Sequence, residues 1–120
     1  MNGEVNLNGQ ALLKIEIRSD EKASKSPIVV WVDTGFTGDL VLPKPLIERL
    51  GFQRSLMVNA VLADGRKSRM KTFSAWIDWF GETREIEVVA GEDRTALLGV
   101  GLLLGHRLMV DYLTQELILD

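Results

Sequence analysis

Val30-Trp31-Val32-Asp33-Thr34-Gly35-Phe36-Thr37-Gly38 sets a carboxylate directly behind an apolar, β-branched run and follows it with two threonines and two glycines. A carboxylate buried there without a partner would cost several kcal/mol. Asp33 is therefore either satisfied by backbone N–H groups in a turn, where Asp and Gly are favoured residues, or held for a chemical purpose. The tripeptide Asp33-Thr34-Gly35 leaves both readings open, and the flanking chain has to decide.

Upstream, Ala11 to Ile17 alternates, with Leu13, Ile15 and Ile17 on one face and Lys14 and Glu16 on the other. This predicts a strand with one solvent face, whereas Ile28 to Val32 is nearly unbroken and reads as a buried strand. The polar stretch from Arg18 to Ser26 between them reads as an exposed loop. Downstream, Pro45 fits a first helical position and Gly51 a left-handed cap, predicting a helix of about two turns that ends at Leu50. The pattern then returns to strands. It shows an Asp64-Gly65 turn, alternation through Phe73, Ala75, Ile77 and Trp79, a turn near Gly81, and Ile86, Val88 and Ala90 facing one way. After Gly91 to Asp93 come a short apolar strand ending at Gly99, one or two helical turns between Val100 and Gly105, and strands at Leu108 to Tyr112 and Glu116 to Leu119. The fold class expected is all-β with one or two short helices.

The chain has 120 residues, 46% apolar and 26% charged. That suits a single folded domain, residues 1–120, burying roughly 65% of its unfolded surface. With no cysteine and one histidine, His106, thiolate chemistry, iron–sulfur clusters, a His-rich zinc site and a Ser-His-Asp triad are excluded, so no metal and no cofactor is expected. A net charge of −3 lacks the basic footprint of a nucleic-acid binder. Thr95 to Val110 is interrupted by glycines, His106 and Arg107, short of the ~20 apolar residues of a membrane span. Met1-Asn2-Gly3-Glu4 lacks a basic, apolar leader, and the expected location is cytoplasmic. Trp31, Trp76 and Trp79 read as core or interface aromatics.

The run from Ile28 to Leu50, with Asp33-Thr34-Gly35, then Leu40-Val41-Leu42-Pro43 and a short helix before Gly51, resembles the retropepsin-like aspartic proteases, in particular their small single-domain bacterial members. Ala96-Leu97-Leu98-Gly99, followed by Leu102-Leu103, is similar to the apolar-apolar-Gly element that packs beneath the active-site loop in that fold. Leu62-Ala63-Asp64-Gly65-Arg66 stands in the position of the flap hairpin. The resemblance spans Ile28 to Tyr112 and implies a closed or partly closed retropepsin-like (acid protease) barrel, one lobe per chain.

It also implies a mechanism. Two carboxylates about 3 Å apart share one proton and activate a water between them. None of Asp20, Asp39, Asp64, Asp78, Asp93, Asp111 or Asp120 is followed by Thr or Ser and then Gly, so the second carboxylate is expected from a homodimer whose two-fold axis passes beside Asp33. The family resemblance assigns catalysis to Asp33, a reach across the axis to Thr34, and close substrate approach to Gly35. Phe36 departs from the retroviral pattern of a small residue, and its ring is expected to line or narrow the cleft, with the hydroxyl that supports the carboxylate in the family either replaced by Thr37 or absent. Leu97, Leu98 and Gly99 form the supporting motif; Ala63, Asp64 and Gly65 form the candidate flap. The implied activity is that of an aspartic endopeptidase on peptide or protein substrates. The alternative is a retropepsin-like module kept for peptide binding or dimerisation, with little hydrolysis.

Overall fold

The computed structural model describes residues 1–61 and 67–120, with side chains described outside 56–70. The expected flap residues Ala63, Asp64 and Gly65 lie outside the described residues. Strands β1 (Asn2–Val5), β2 (Ala11–Arg18), β3 (Ser26–Val32) and β4 (Leu40–Pro43) precede helix α1 (Lys44–Leu50). Strands β5 (Gln53–Val61), β6 (Lys67–Trp79), β7 (Glu82–Gly91) and β8 (Leu97–Leu98) follow, then a 3-10 helix at Val100–Leu102 and strands β9 (Leu108–Asp111) and β10 (Glu116–Leu119). Among the described residues they form one sheet in the order β5-β6-β7-β4-β8-β3-β2-β1-β10-β9.

An additional pairing of β2 with β6, at Ile17↔Ile77 and Arg18↔Trp76, curls that sheet back on itself. The inward faces make the core. Leu13, Ile15 and Ile17 from β2 meet Val30 from β3, Leu40 and Leu42 from β4, Ala75, Ile77 and Trp79 from β6, and Val88 from β7, all almost wholly buried. Each large aliphatic side chain contributes about 1.5–3 kcal/mol by leaving water. The one polar atom that Trp79 brings inside is satisfied, because its indole N–H donates to Leu102 O at 3.0 Å.

Local chemistry sets the turns. Gly51 closes α1 at φ +71 and donates its N–H to Ile47 O at 3.0 Å, while Ile47 pins the helix to the core. Phe80 and Gly81, at φ +50 and +84, link β6 to β7 as a two-residue turn with both residues left-handed, the backbone that matches strand twist.

One expectation needs correction. β3 is not buried on both faces. Val30 and Val32 point inward, but Val29 is 58% exposed and Trp31 38% exposed, because among the described residues no element covers the outer face of the strand. The first residues also form a strand. β1 fits between β2 and β10, with Glu4↔Leu12 and Asn2↔Ile118, and a Cβ at Gly3 would overlap Leu12 O. The C-terminal hairpin is therefore built into the sheet through β10, leaving β9 at the edge. Among the described residues, no helix is long and apolar enough to cross a membrane.

Candidate active site

β8 lies between β3 and β4, parallel to the first and antiparallel to the second. The loop 33–39 that joins β3 to β4 must therefore pass over the end of β8, and that crossing shapes the site. The Asp33 N–H donates to Leu98 O at 2.8 Å, Gly99 N–H to Asp39 O at 2.9 Å, Val100 N–H to Phe36 O at 2.7 Å and Gly101 N–H to Gly38 O at 3.0 Å. Four backbone hydrogen bonds along 98–101 thus hold the loop at both ends and in the middle. The Asp39 carboxylate adds a fifth tie by accepting the Glu87 N–H at 3.1 Å.

Within the loop, Asp33 Oδ1 accepts the Gly35 N–H at 2.9 Å, and the Phe36 N–H donates to Asp33 O at 3.2 Å. One carboxylate oxygen is thereby oriented by the backbone. Among the described residues, Oδ2 takes no hydrogen bond and remains free for water or a second acid. Asp33 is half-buried, while Thr34, Gly35 and Thr37 are exposed around it.

Phe36 takes a different direction from the one expected. Its ring lies over the backbone of Gly38 and Gly99, where an added Cβ would come to 2.5 Å from it, and it does not line the cavity beside Asp33. Glycine at 38 and 99 makes room for an aromatic ring at 36. A methyl at Gly99 would also overlap Gly38 O, and one at Gly101 would overlap the Asp39 carboxylate.

That cavity, about 460 Å³, opens next to the carboxylate and is lined in part by Trp31, Asp33, Thr34, Glu92, Asp93 and Leu97. Lys44 holds one lip through an ion pair to Glu92 at 2.7 Å, and this hydrogen bond and charge keep the Glu92 carboxyl below its ordinary range. The structure thus gathers Asp33, Thr34, Gly35, Phe36 and Thr37 with Leu97, Leu98 and Gly99. Sequence reading did not find the tie from Asp39 to Glu87 or the acidic pair 92–93, which reads as a turn after Gly91 until β7 brings it beside Asp33.

No sequence-family model matches the chain, and no curated protein sequence matches it significantly. Solved structures do. A retropepsin-like aspartic protease from Rickettsia conorii superposes over 99% of this chain and 88% of its own, with a TM-score of 0.62 and 21% identity. The chain has the retropepsin-like fold. The protease of EIAV, solved in complex with the inhibitor HBY-793, is also similar, over 82% of this chain and 88% of its own at a TM-score of 0.57 and 20% identity. The first is described as an aspartic protease and the second as a protease, and at such identity the likeness is one of fold. In that fold the crossing of loop 33–39 over β8 places Asp33-Thr34-Gly35 above Leu97-Leu98-Gly99, the two elements on which the sequence resemblance rests.

Proposed function

We propose that the protein is an aspartic endopeptidase that works as a homodimer, hydrolysing peptide bonds with a water held between the Asp33 carboxylates of two copies. The observation that carries this reading is Asp33 itself, with Oδ1 fixed by the Gly35 N–H at 2.9 Å and Oδ2 open on a loop clamped from below. A carboxylate serving only as a turn cap has no need of that clamp.

The registers Leu12↔Trp31 and Glu4↔Leu12, with the hydrogen bond from Val5 N–H to Gln115 O, set the turns 6–10 and 112–115 at the same end of the sheet as Asp33. Those turns present Leu7, Tyr112 and Leu113, which are 96%, 67% and 92% exposed. Apolar side chains around an exposed Thr34 suit contact with a second copy, which would face itself across the two-fold axis.

In the dimer one Asp33 is protonated and the other ionised. The ionised carboxylate takes a proton from the water as its oxygen bonds to the scissile carbonyl carbon, and the protonated one donates to the carbonyl oxygen, giving a neutral gem-diol. Collapse breaks the C–N bond, with a proton passing to the departing nitrogen and a carboxyl group left behind. No cofactor or metal enters these steps. The substrate is a peptide or protein chain, with neither nucleic acid nor membrane as a partner, and the proposed location is the cytoplasm.

The test pairs light scattering with hydrolysis of an unbiased peptide library. Twice the chain mass and cleavage that Asp33→Asn abolishes without unfolding the protein are expected. Equal cleavage by the Asn variant would refute the assignment.

A further inference from the structure

Among the described residues, the cavity beside Asp33 carries more negative charge than its lining neutralises: Asp33, Glu92 and Asp93 line it, and no described lysine or arginine does. Lys44 pairs with Glu92 at 2.7 Å from outside the lining, while among the described residues no ion pair engages Asp93. The rest of the wall combines Leu97, Val32, Val41 and the indole of Trp31 with two threonines, Thr34 and Thr95, and Gly91. The 38% exposure of Trp31 has no explanation in the packing of the core.

A cavity of about 460 Å³ falls within the range of sites that hold a small ligand. What fills it must suit both halves of its wall. An apolar side chain would cover Leu97 and Val41 but strip water from Asp93 without replacing its hydrogen bonds, which is unfavourable. A long basic side chain lays its methylenes along the aliphatic wall and brings its charge to Asp93 and the indole. Arginine suits this better than lysine, because its planar guanidinium both stacks on an aromatic ring and forks onto a carboxylate.

We infer that this cavity is a specificity pocket for a basic residue, arginine ahead of lysine, next to the scissile bond; the inference rests on the endopeptidase reading above. Two uncleavable hydroxyethylene isosteres test it, one carrying arginine and the other norleucine side chains on both sides of the replaced bond, titrated calorimetrically into the full-length protein. The arginine compound should bind about ten times more tightly, with the margin shrinking as salt is added and vanishing in Asp93→Asn, a surface substitution away from the core.

Equal or tighter binding of the norleucine compound would overturn the pocket, and hydrolysis of the matching norleucine peptide would then leave the endopeptidase reading standing. An arginine margin that Asp93→Asn erases, with no hydrolysis of the matching arginine peptide, would keep the pocket and overturn the hydrolytic reading. Binding of neither compound would overturn both.

Discussion

The backbone N–H of Asp33 donates to the carbonyl oxygen of Leu98 at 2.8 Å, so the residue bearing the candidate catalytic carboxylate hangs from the short strand that its own loop crosses. β8 is two residues long, yet it pairs on both sides, and its Leu98 together with the three residues that follow carries the hydrogen bonds that set the loop. Small changes there should reach Asp33 without touching it.

Gly99→Ala is the sharpest such change. The added methyl would overlap Gly38 O and press on the Phe36 ring, costing about 1–3 kcal/mol as overpacking does. Urea unfolding should show that loss. Peptide hydrolysis should fall by more than the unfolded fraction accounts for, since the loop moves even in molecules that stay folded. Phe36→Ala in the same background should recover part of the stability by vacating the space.

How much of this was legible beforehand follows from what each segment encodes locally. Asp33-Thr34-Gly35 and Leu97-Leu98-Gly99 could be paired from sequence because together they resemble two elements of one known fold, and in the structure the Asp33 N–H donates to Leu98 O. β1 was hidden because Asn2, Gly3 and Glu4 carry no apolar alternation and the strand exists through its neighbours, β2 and β10. The outward faces of Val29 and Trp31 were hidden because a β-branched run reads the same whether one face or two are covered. The direction of Phe36 depends on room left by Gly38 and by Gly99, which stands far away in the chain, and no local pattern encodes that.

Leu7 and Leu113 should matter to association rather than to folding. Both are almost fully exposed, so Leu7→Asp with Leu113→Asp should leave thermal stability of the isolated chain nearly unchanged. Sedimentation should then show a shift toward monomer at micromolar concentration. A double variant that associates as tightly as the parent would remove these turns from the contact surface.

Asp78 ties down the exposed segment 19–25. Its carboxylate accepts from Lys25 at 3.1 Å, from Thr83 at 3.0 Å and from Arg18 at 2.5 Å. The hydrogen bonds from Lys25 and Thr83, then the charges of Arg18 and Lys25, hold its carboxyl below the ordinary carboxylate range. A carboxyl lowered by folding stabilises the native state above its unfolded value, and the benefit disappears as pH falls through the lowered one. Asp78→Asn should therefore melt earlier than the parent at neutral pH, and the gap should close in acid. A gap that persists unchanged into acid would contradict this role.

The central claim is that two Asp33 carboxylates, one from each copy, perform the hydrolysis together. Mixing active protein with Asp33→Asn at constant total concentration, after allowing subunits to exchange, measures this directly. If both carboxylates are required, hydrolysis follows the square of the active fraction, so an equal mixture retains about one quarter of the starting rate. A rate that falls in simple proportion to the active fraction, leaving about half in the equal mixture, would mean that each chain works alone and would contradict the shared site.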